Sequence, residues 1–196
     1  MWISTVPYED ATGELKASYD RQASALGEPT EMTMVGSLYP RIVAARLELY
    51  AATERCPSKL TPQQRALVAF VTSALNDTVH CMSQISIKLR ETGLDNNQIT
   101  RLVRDPLEVE LAPADAELVR YTAKLTTAPG SVTEADIGRL RAVGFEDLDI
   151  LDINSQCAHL NYVNRVVNGL GIRHSVDPDF PAFDAVPDDA PTPTAR

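Results

Sequence analysis

The stretch over residues 60–93 decides the fold class of this chain and reads LTPQQRALVAFVTSALNDTVHCMSQISIKLRETG. It opens with the signals of a helix N-terminus, because Thr61 can cap a helix, Pro62 suits the first helical position and Gln64 completes a capping box. The apolar run that follows is hydrophobic on all sides, which is typical of a helix inside a core. The stretch therefore predicts a buried helix over residues 62–75.

A second helix is predicted over residues 78–92, and the two form a central buried pair. The polar residues 76–78 between them prefer turns and caps, and Gly93 is a typical helix terminator. His80 and Cys81 would lie in the first turn of the second helix. Backbone N–H groups and the positive end of the helix dipole favour a thiolate at Cys81 and a neutral ring at His80.

The rest of the chain is predicted to be helical as well, so the fold class is all-α. No segment alternates between apolar and polar residues for long, as a half-buried strand would. Further helices are predicted over residues 11–26, 31–55 with a break at residue 40, 95–103, 113–127, 133–144 and 146–168.

A short echo in the sequence predicts a pseudo-repeated helical half. Residues 89–95 read LRETGLD and residues 140–146 read LRAVGFE. In both, a helix ends at glycine, one apolar residue follows and an acid opens the next helix.

Composition limits the partners and the compartment. A net charge of −9 disfavours nucleic acids and anionic membrane surfaces, which need basic patches. No apolar run is long enough to span a bilayer and no signal-peptide pattern opens the chain, so we expect a cytoplasmic protein. The three cysteines are widely spaced without a CxxC pair, which argues against a disulfide framework or a zinc ribbon.

The central stretch resembles the AhpD-like, or carboxymuconolactone decarboxylase, family of all-helical proteins. Asn76, Cys81 and Gly93 fit the family frame without gaps. The segments ATGELKASYD, SLYPRIVAA and NYVNRVVNGLGI extend the resemblance over roughly residues 1–173. The resemblance implies the helical fold of this family and a homo-oligomer assembled through its helices.

The chemical positions of the family pattern are mostly replaced. Ala66 stands where the family has a proton-relay Glu, Thr78 where it has the first redox Cys, and Ile85 where it has a His. Cys81 matches the second Cys, and His80 stands at the position before it, where relatives carry Tyr or His. The resemblance therefore implies that dithiol peroxidase activity is lost.

The preferred hypothesis is an enzyme that performs acid–base chemistry of decarboxylase or isomerase type on an apolar or aromatic small molecule. His80 would be the acid or base, with Asp77 or Gln84 to orient it, and Cys81 would lie beside it. We expect neither a metal nor an organic cofactor. The pocket and orienting residues are expected to be Asn76, Asp77, Thr78, Gln84, Ala66 and Ile85.

Two other hypotheses stay open. Cys81 could act as a one-cysteine peroxidase whose sulfenic acid is resolved by an external thiol. Alternatively, the chain could be a non-catalytic oligomeric binding protein, in which case side chains would fill the pocket beside His80 and Cys81.

Other polar residues lie on the last long helix. Cys157 and His159 are two positions apart and should point to different faces, which disfavours a metal site with His80 and Cys81, although His159 could still reach His80. Asn161, Asn164 and Arg165 form a polar face that could hold a carboxylate; a network that fastens helices is favoured.

The predicted domain covers residues 1–173, and a tail rich in proline and aspartate follows over residues 174–196. Such a composition predicts an extended or disordered segment. Trp2, Tyr8 and Phe180 are expected to anchor the two end segments.

Overall fold

The computed structural model describes residues 1–180, except the side chains of residues 25 and 26, and these residues form a helical fold without strands. The α-helices are α1 (Gly13–Leu26), α2 (Glu31–Met34), α3 (Pro40–Glu54), α4 (Pro62–Leu75), α5 (Val79–Glu91), α6 (Asn96–Arg104), α7 (Pro113–Thr127), α8 (Glu134–Ala142) and α9 (Asp147–Gly169). Single 3-10 turns over Pro106–Glu108 and Pro129–Ser131 flank α7. The all-α prediction is confirmed.

Helix α4 lies at the centre and packs against α5, α7 and α9. Its capping box forms in both directions, because Thr61 Oγ1 accepts from the Gln64 backbone N–H and Gln64 Oε1 accepts from that of Thr61, each at 3.1 Å. Leu67, Val68 and Phe70 are fully buried. The bounds of α4 match the sequence prediction, because cap, first-turn proline and apolar run all favour the same start.

The turn between α4 and α5 is tight. Asp77 adopts a positive φ of 49°, and the Thr78 backbone N–H donates to the carbonyl of Ser73 at 2.9 Å. The amide of Asn168 in α9 donates to the carbonyl of Asn76 at 2.8 Å and to Thr78 Oγ1 at 3.0 Å. This turn therefore fixes where α5 begins relative to α4 and α9.

The two helix stops predicted by the sequence echo have the same geometry. Gly93 and Gly144 have φ values of 105° and 100°. The backbone N–H of Leu94 returns to the carbonyl of Leu89 at 3.0 Å, and that of Phe145 returns to Leu140 at 3.2 Å. A capping box opens the next helix in both places.

The chain before α1 and the chain after α9 meet. The Trp2 backbone N–H donates to the Leu170 carbonyl at 2.9 Å, and the Trp2 ring lies so close to Gly171 that a Cβ there would come within 2.6 Å of it.

Phe180 is buried and packs edge-on against Phe70. Tyr8 donates from its hydroxyl to Asp20 at 2.6 Å.

Residues 174–180 lie along α5. Asp177 is buried, with Arg90 as its ion-pair partner at 2.5 Å and a hydrogen bond from Ser86 at 3.0 Å. The tail predicted over residues 174–196 therefore begins with a segment that packs on the helical domain, and residues 181–196 lie outside the described residues. Within residues 1–180, none of the helices has the length and hydropathy of a membrane span.

Candidate active site

A cavity of about 640 Å³ lies among α3, α4, α5 and α9. Its apolar wall includes Ala66 and Ile85, two of the residues expected from the sequence to lie at the pocket. Leu160 and Val163 of α9 continue this wall. The hypothesis of a non-catalytic binding protein expected side chains to fill this pocket. The presence of a cavity disfavours that hypothesis.

Cys81 lies in the cavity wall and is 5% exposed. Burial raises the pKa of its thiol to about 12. The expected thiolate is therefore wrong. Burying a negative charge costs more free energy than the positive end of the α5 dipole contributes to stabilising it. Cys81 forms no disulfide within the described residues, where Cys56, Cys81 and Cys157 are all free thiols.

His80 lies beside Cys81 and contacts the segment that follows α9. Its Nδ1 is 3.3 Å from the carbonyl oxygen of His174, and the two imidazole rings stand edge to face with centroids 5.0 Å apart. Burial lowers the pKa of His80, and the contact with the His174 carbonyl offsets part of this effect. The low pKa expected from sequence has the right direction, with burial as its main cause.

The hydrogen-bond contact of the His80 ring is with neither Asp77 nor Gln84, the two residues expected to orient it. Asp77 is exposed, and the hydrogen-bond contact of the His80 ring is with His174, 94 positions away. Gln84 lines the cavity. The residue that holds the ring therefore comes from the segment that the sequence assigned to the tail.

His159 is a second histidine in the cavity wall, besides His80. It is 4% exposed, and its Nδ1 is buried without a hydrogen-bond partner among residues 1–180. Burial and, to a smaller extent, the nearby Arg46 lower the pKa of His159 to about 4. The ring of Tyr50 lies 6.0 Å from the imidazole. His159 is therefore neutral at physiological pH.

Arg46 lies near His159 and adds a positive charge to this part of the cavity wall. It lines the cavity and donates from its guanidinium to Thr33 Oγ1 at 2.6 Å. No carboxylate lies within ion-pair distance of it in the part of the chain that the structure describes. Burial lowers its pKa. Sequence reasoning missed Arg46, although its spacing from the buried Val43 and Leu47 places it on the apolar face of α3.

A sequence profile of the carboxymuconolactone decarboxylase family matches residues 40–128, which cover α3 to α7. This segment therefore carries the sequence pattern of the carboxymuconolactone decarboxylase family. No curated protein matches the chain.

Solved structures with the AhpD-like fold are similar over nearly the whole chain. An alkylhydroperoxidase AhpD core protein, peroxidase-related, from Ralstonia eutropha JMP134 superposes with a TM-score of 0.78 at 21% identity, over 88% of this chain and 90% of that one. A peroxidase-related protein from Silicibacter sp. TM1040 gives 0.71 at 23% identity, over 87% and 86%. The debrominase Bmp8, in a cysteine-to-alanine variant complexed with 2,3,4-tribromopyrrole, gives 0.70 at 15% identity, over 89% and 91%.

The position at which the family pattern has its first redox cysteine is occupied here by a hydrogen-bonded hydroxyl. Thr78 is fully buried, donates to the carbonyl of Asn76 at 3.2 Å and accepts from Asn168 at 3.0 Å. Asn76 also donates to Asn161 Oδ1 at 3.0 Å. Asn76 and Thr78, expected near the pocket, thus join the α4–α5 turn to α9 instead of lining the cavity.

The remaining polar residues of α9 have structural contacts. Arg165 donates to the side-chain oxygen of Asn161 at 2.8 Å, and Ser73 donates to Asn164 at 3.3 Å. These contacts agree with the favoured prediction of a fastening network. Cys157 is buried on another face from His159, with its Sγ 3.3 Å from Thr126 Oγ1.

Proposed function

We propose that this protein is an enzyme that moves a proton within a small apolar or aromatic molecule, without thiol redox chemistry. The observation that carries the proposal is buried His159, which lines a cavity of about 640 Å³ and whose Nδ1 has no hydrogen-bond partner within residues 1–180. A neutral imidazole in the wall of a largely apolar cavity suits general acid–base catalysis.

The cavity supports a small, mainly apolar substrate. Its volume lies within the range of about 300–1,000 Å³ typical of small-molecule sites. Ala66, Ile85 and Val163 supply apolar surface where a ring could pack. The complex of Bmp8 with a brominated pyrrole shows that a protein of this fold can bind a small aromatic ring, which supports the same class of substrate here.

Arg46 supports a substrate with a hydrogen-bond acceptor or an acidic group. The contact of the guanidinium with Thr33 leaves further N–H donors for a ligand. A half-buried guanidinium binds a carboxylate through two parallel hydrogen bonds when one is available. In this arrangement Arg46 would orient the substrate and place its apolar body against Ala66 and Ile85.

The resting state of His159 fits an isomerase-type reaction, because a neutral ring can accept the first proton. In a proton shift, neutral His159 accepts a proton from one substrate atom, the electrons of that bond move into the substrate, and the ring returns the proton at another atom. No other reactant is consumed. A decarboxylation that used His159 as its acid would have to begin from the imidazolium, whereas burial and Arg46 favour the neutral ring as the starting form.

Hydrogen–deuterium exchange tests this proposal without knowledge of the product. The protein would be mixed with a panel of small aromatic and lactone carboxylic acids in D₂O, and loss of C–H signals would be followed by NMR. For at least one acid, exchange by the wild type should exceed that by His159→Gln by about 10²–10⁴-fold. The matched control is Cys56→Ala, since Cys56 does not line the cavity.

Equal exchange by wild type and His159→Gln would overturn the assignment of His159. The sequence favoured His80 as the acid or base, so His80→Ala is measured alongside. Exchange lost only in His80→Ala would move the role to that residue. Absence of exchange for the whole panel, together with no binding in ligand-observed NMR, would count against the proposed substrate class.

A second candidate function uses the thiol of Cys81, which also lines the cavity. The comparison with Bmp8, solved with its ligand in a cysteine-to-alanine variant, favours this reading. Replacing bromine by hydrogen on a ring, or reducing a hydroperoxide, is a two-electron reduction. Each turnover would oxidise two external thiol groups to a disulfide and release hydrogen bromide in the first case, or an alcohol and water in the second. Dithiothreitol-driven loss of tribromopyrrole or cumene hydroperoxide, abolished by Cys81→Ser, would support it. Without such loss, the non-thiol proposal is favoured.

A further inference from the structure

Three ligand-type side chains from distant parts of the chain meet beside the cavity. Glu31 is the first residue of α2, His80 lies in the first turn of α5, and His174 follows α9. One ligand atom of each lies within 4.8 Å of the others. We propose that these residues bind a single divalent transition-metal ion, a site that goes beyond the proposed function and does not depend on it.

The contact between Glu31 and His174 supports this inference. Glu31 Oε2 is buried and accepts no hydrogen bond within residues 1–180, although His174 Nε2 lies only 3.0 Å away. Two atoms that each bind one ion at about 2.0–2.2 Å lie roughly 3.0–3.5 Å apart. The pair is therefore spaced like neighbouring ligands of an ion, and the buried carboxylate oxygen lacks another partner.

His80 completes the set from the protein interior. The contact of its Nδ1 with the His174 carbonyl at 3.3 Å fixes the orientation of the ring. Backbone carbonyls commonly orient metal-binding imidazoles in this way. Two of the three histidines of the chain meet here, although 94 positions separate them. Because of that separation, no local sequence pattern indicates the site.

The donor set determines the class of metal. Two imidazole nitrogens and one carboxylate oxygen suit zinc and ferrous iron, and both leave coordination positions for water or a ligand. Magnesium and calcium prefer sites built from oxygen atoms. Since His80 also lines the cavity, the ion would lie at the cavity edge. It would join α2, α5 and the segment after α9.

Metal binding by the full-length chain tests the site directly. The protein, stripped with a chelator, would be titrated with Co²⁺ as an optical probe and with Zn²⁺ by calorimetry, with Mg²⁺ as the hard-ion comparison. We expect one Co²⁺ or Zn²⁺ per chain and no Mg²⁺ binding at the same concentrations. Glu31→Gln and His174→Ala should each weaken binding at least about tenfold, because each removes one of three protein ligands.

His159→Gln is the matched control, since it removes the third histidine and leaves the proposed ligands in place. Binding that stays at wild-type strength in both Glu31→Gln and His174→Ala would overturn the site, as would no stoichiometric binding or an equal loss in His159→Gln. Circular dichroism checks that each variant is folded. If His174→Ala is not, Glu31→Gln decides the test. Zinc should also raise the melting temperature of the wild type but not of Glu31→Gln.

Discussion

Cys81 and His159 line the same cavity, and burial pushes their pKa values in opposite directions. In each case it favours the uncharged form, because a charge in an apolar wall loses its hydration. For Cys81 this effect exceeds the contribution of the helix terminus. The cavity is therefore lined by a neutral thiol and a neutral imidazole, and neither state follows from position along a helix alone.

The thiol of Cys81 should be slow to alkylate. With a pKa of about 12, its thiolate fraction near pH 8 is at least about a thousandfold smaller than that of free cysteine. We expect iodoacetamide to label half-buried Cys56 first and to leave Cys81 unmodified over the same period. Peptide mass spectrometry measures both sites in one sample. Labelling of Cys81 as fast as that of Cys56 would contradict the raised pKa.

His159 should make stability depend on pH. Its folded pKa of about 4 lies below the value of about 6.5 in an unfolded chain. The unfolded state therefore binds more protons between these values, and stability is lost as pH falls from about 6.5 to 4. The loss should reach roughly 3 kcal/mol.

Urea unfolding of wild type and His159→Gln at a series of pH values measures this loss. Arg46 and Tyr50 face the ring, and His80 has its own lowered pKa, so the difference between the two proteins isolates His159. The wild type should lose more stability than the variant over this window. Parallel curves would mean that His159 has the same pKa in the folded and the unfolded protein, which would contradict the lowered pKa.

At the scale of the elements, the helix stops after α5 and α8 depend on glycine. Gly93 and Gly144 adopt φ values of 105° and 100°, which L-residues with a Cβ rarely adopt. Gly93→Ala and Gly144→Ala should each lower the free energy of unfolding by about 1–2 kcal/mol.

Gly138 provides the matched control for these two substitutions. It lies inside α8, where a Cβ would meet nothing within 4 Å. Gly138→Ala should stabilise the protein by up to about 1 kcal/mol. Urea unfolding of the three variants measures the contrast, and a loss of stability in Gly138→Ala equal to that of the other two would contradict a conformational origin.

The segment after α9 is held to α5 through Asp177. Burial alone would raise the pKa of this carboxyl, but Arg90 and hydrogen bonds from the Asp179 backbone and Ser86 outweigh it and lower the pKa. Asp177→Asn should cost about 1–3 kcal/mol, because it leaves Arg90 half-buried without its partner. Limited proteolysis should then cut near residue 175. Asp179→Asn is the control, since its side chain is exposed, and equal effects would contradict the role of Asp177.

At the scale of the whole molecule, several large apolar side chains are exposed on α9 and around α3. These include Leu38, Tyr39, Leu49 and Leu151, with exposed fractions of 62%, 61%, 49% and 59%. We predict a homo-oligomer that buries more than about 1,000 Å² at such a face.

Light scattering tests the assembly directly. The measured mass should be a multiple of 21.4 kDa at micromolar concentration. The double variant Leu38→Lys, Leu151→Lys should lower that mass if these residues lie in the interface. A mass of one chain for the wild type would refute the prediction.

The sequence determined the helices, because their signals are local. The capping box of Thr61 and Gln64, the first-turn prolines and the glycine stops act within a few residues of where they stand, so α4 and α7 were predicted with their observed bounds. It also predicted that Ala66 and Ile85 would face a pocket, since those positions follow the family frame.

Only the tertiary structure decided the chemistry of the site. Cys81 carries a thiol and not a thiolate because of the residues packed around it. His174, assigned from composition to a tail, supplies the contact that holds His80. Arg46 and His159 approach the cavity from α3 and α9, which no local pattern brings together. Hydrogen bonds within a turn can be derived from neighbouring residues, whereas burial and through-space contacts depend on how distant helices pack.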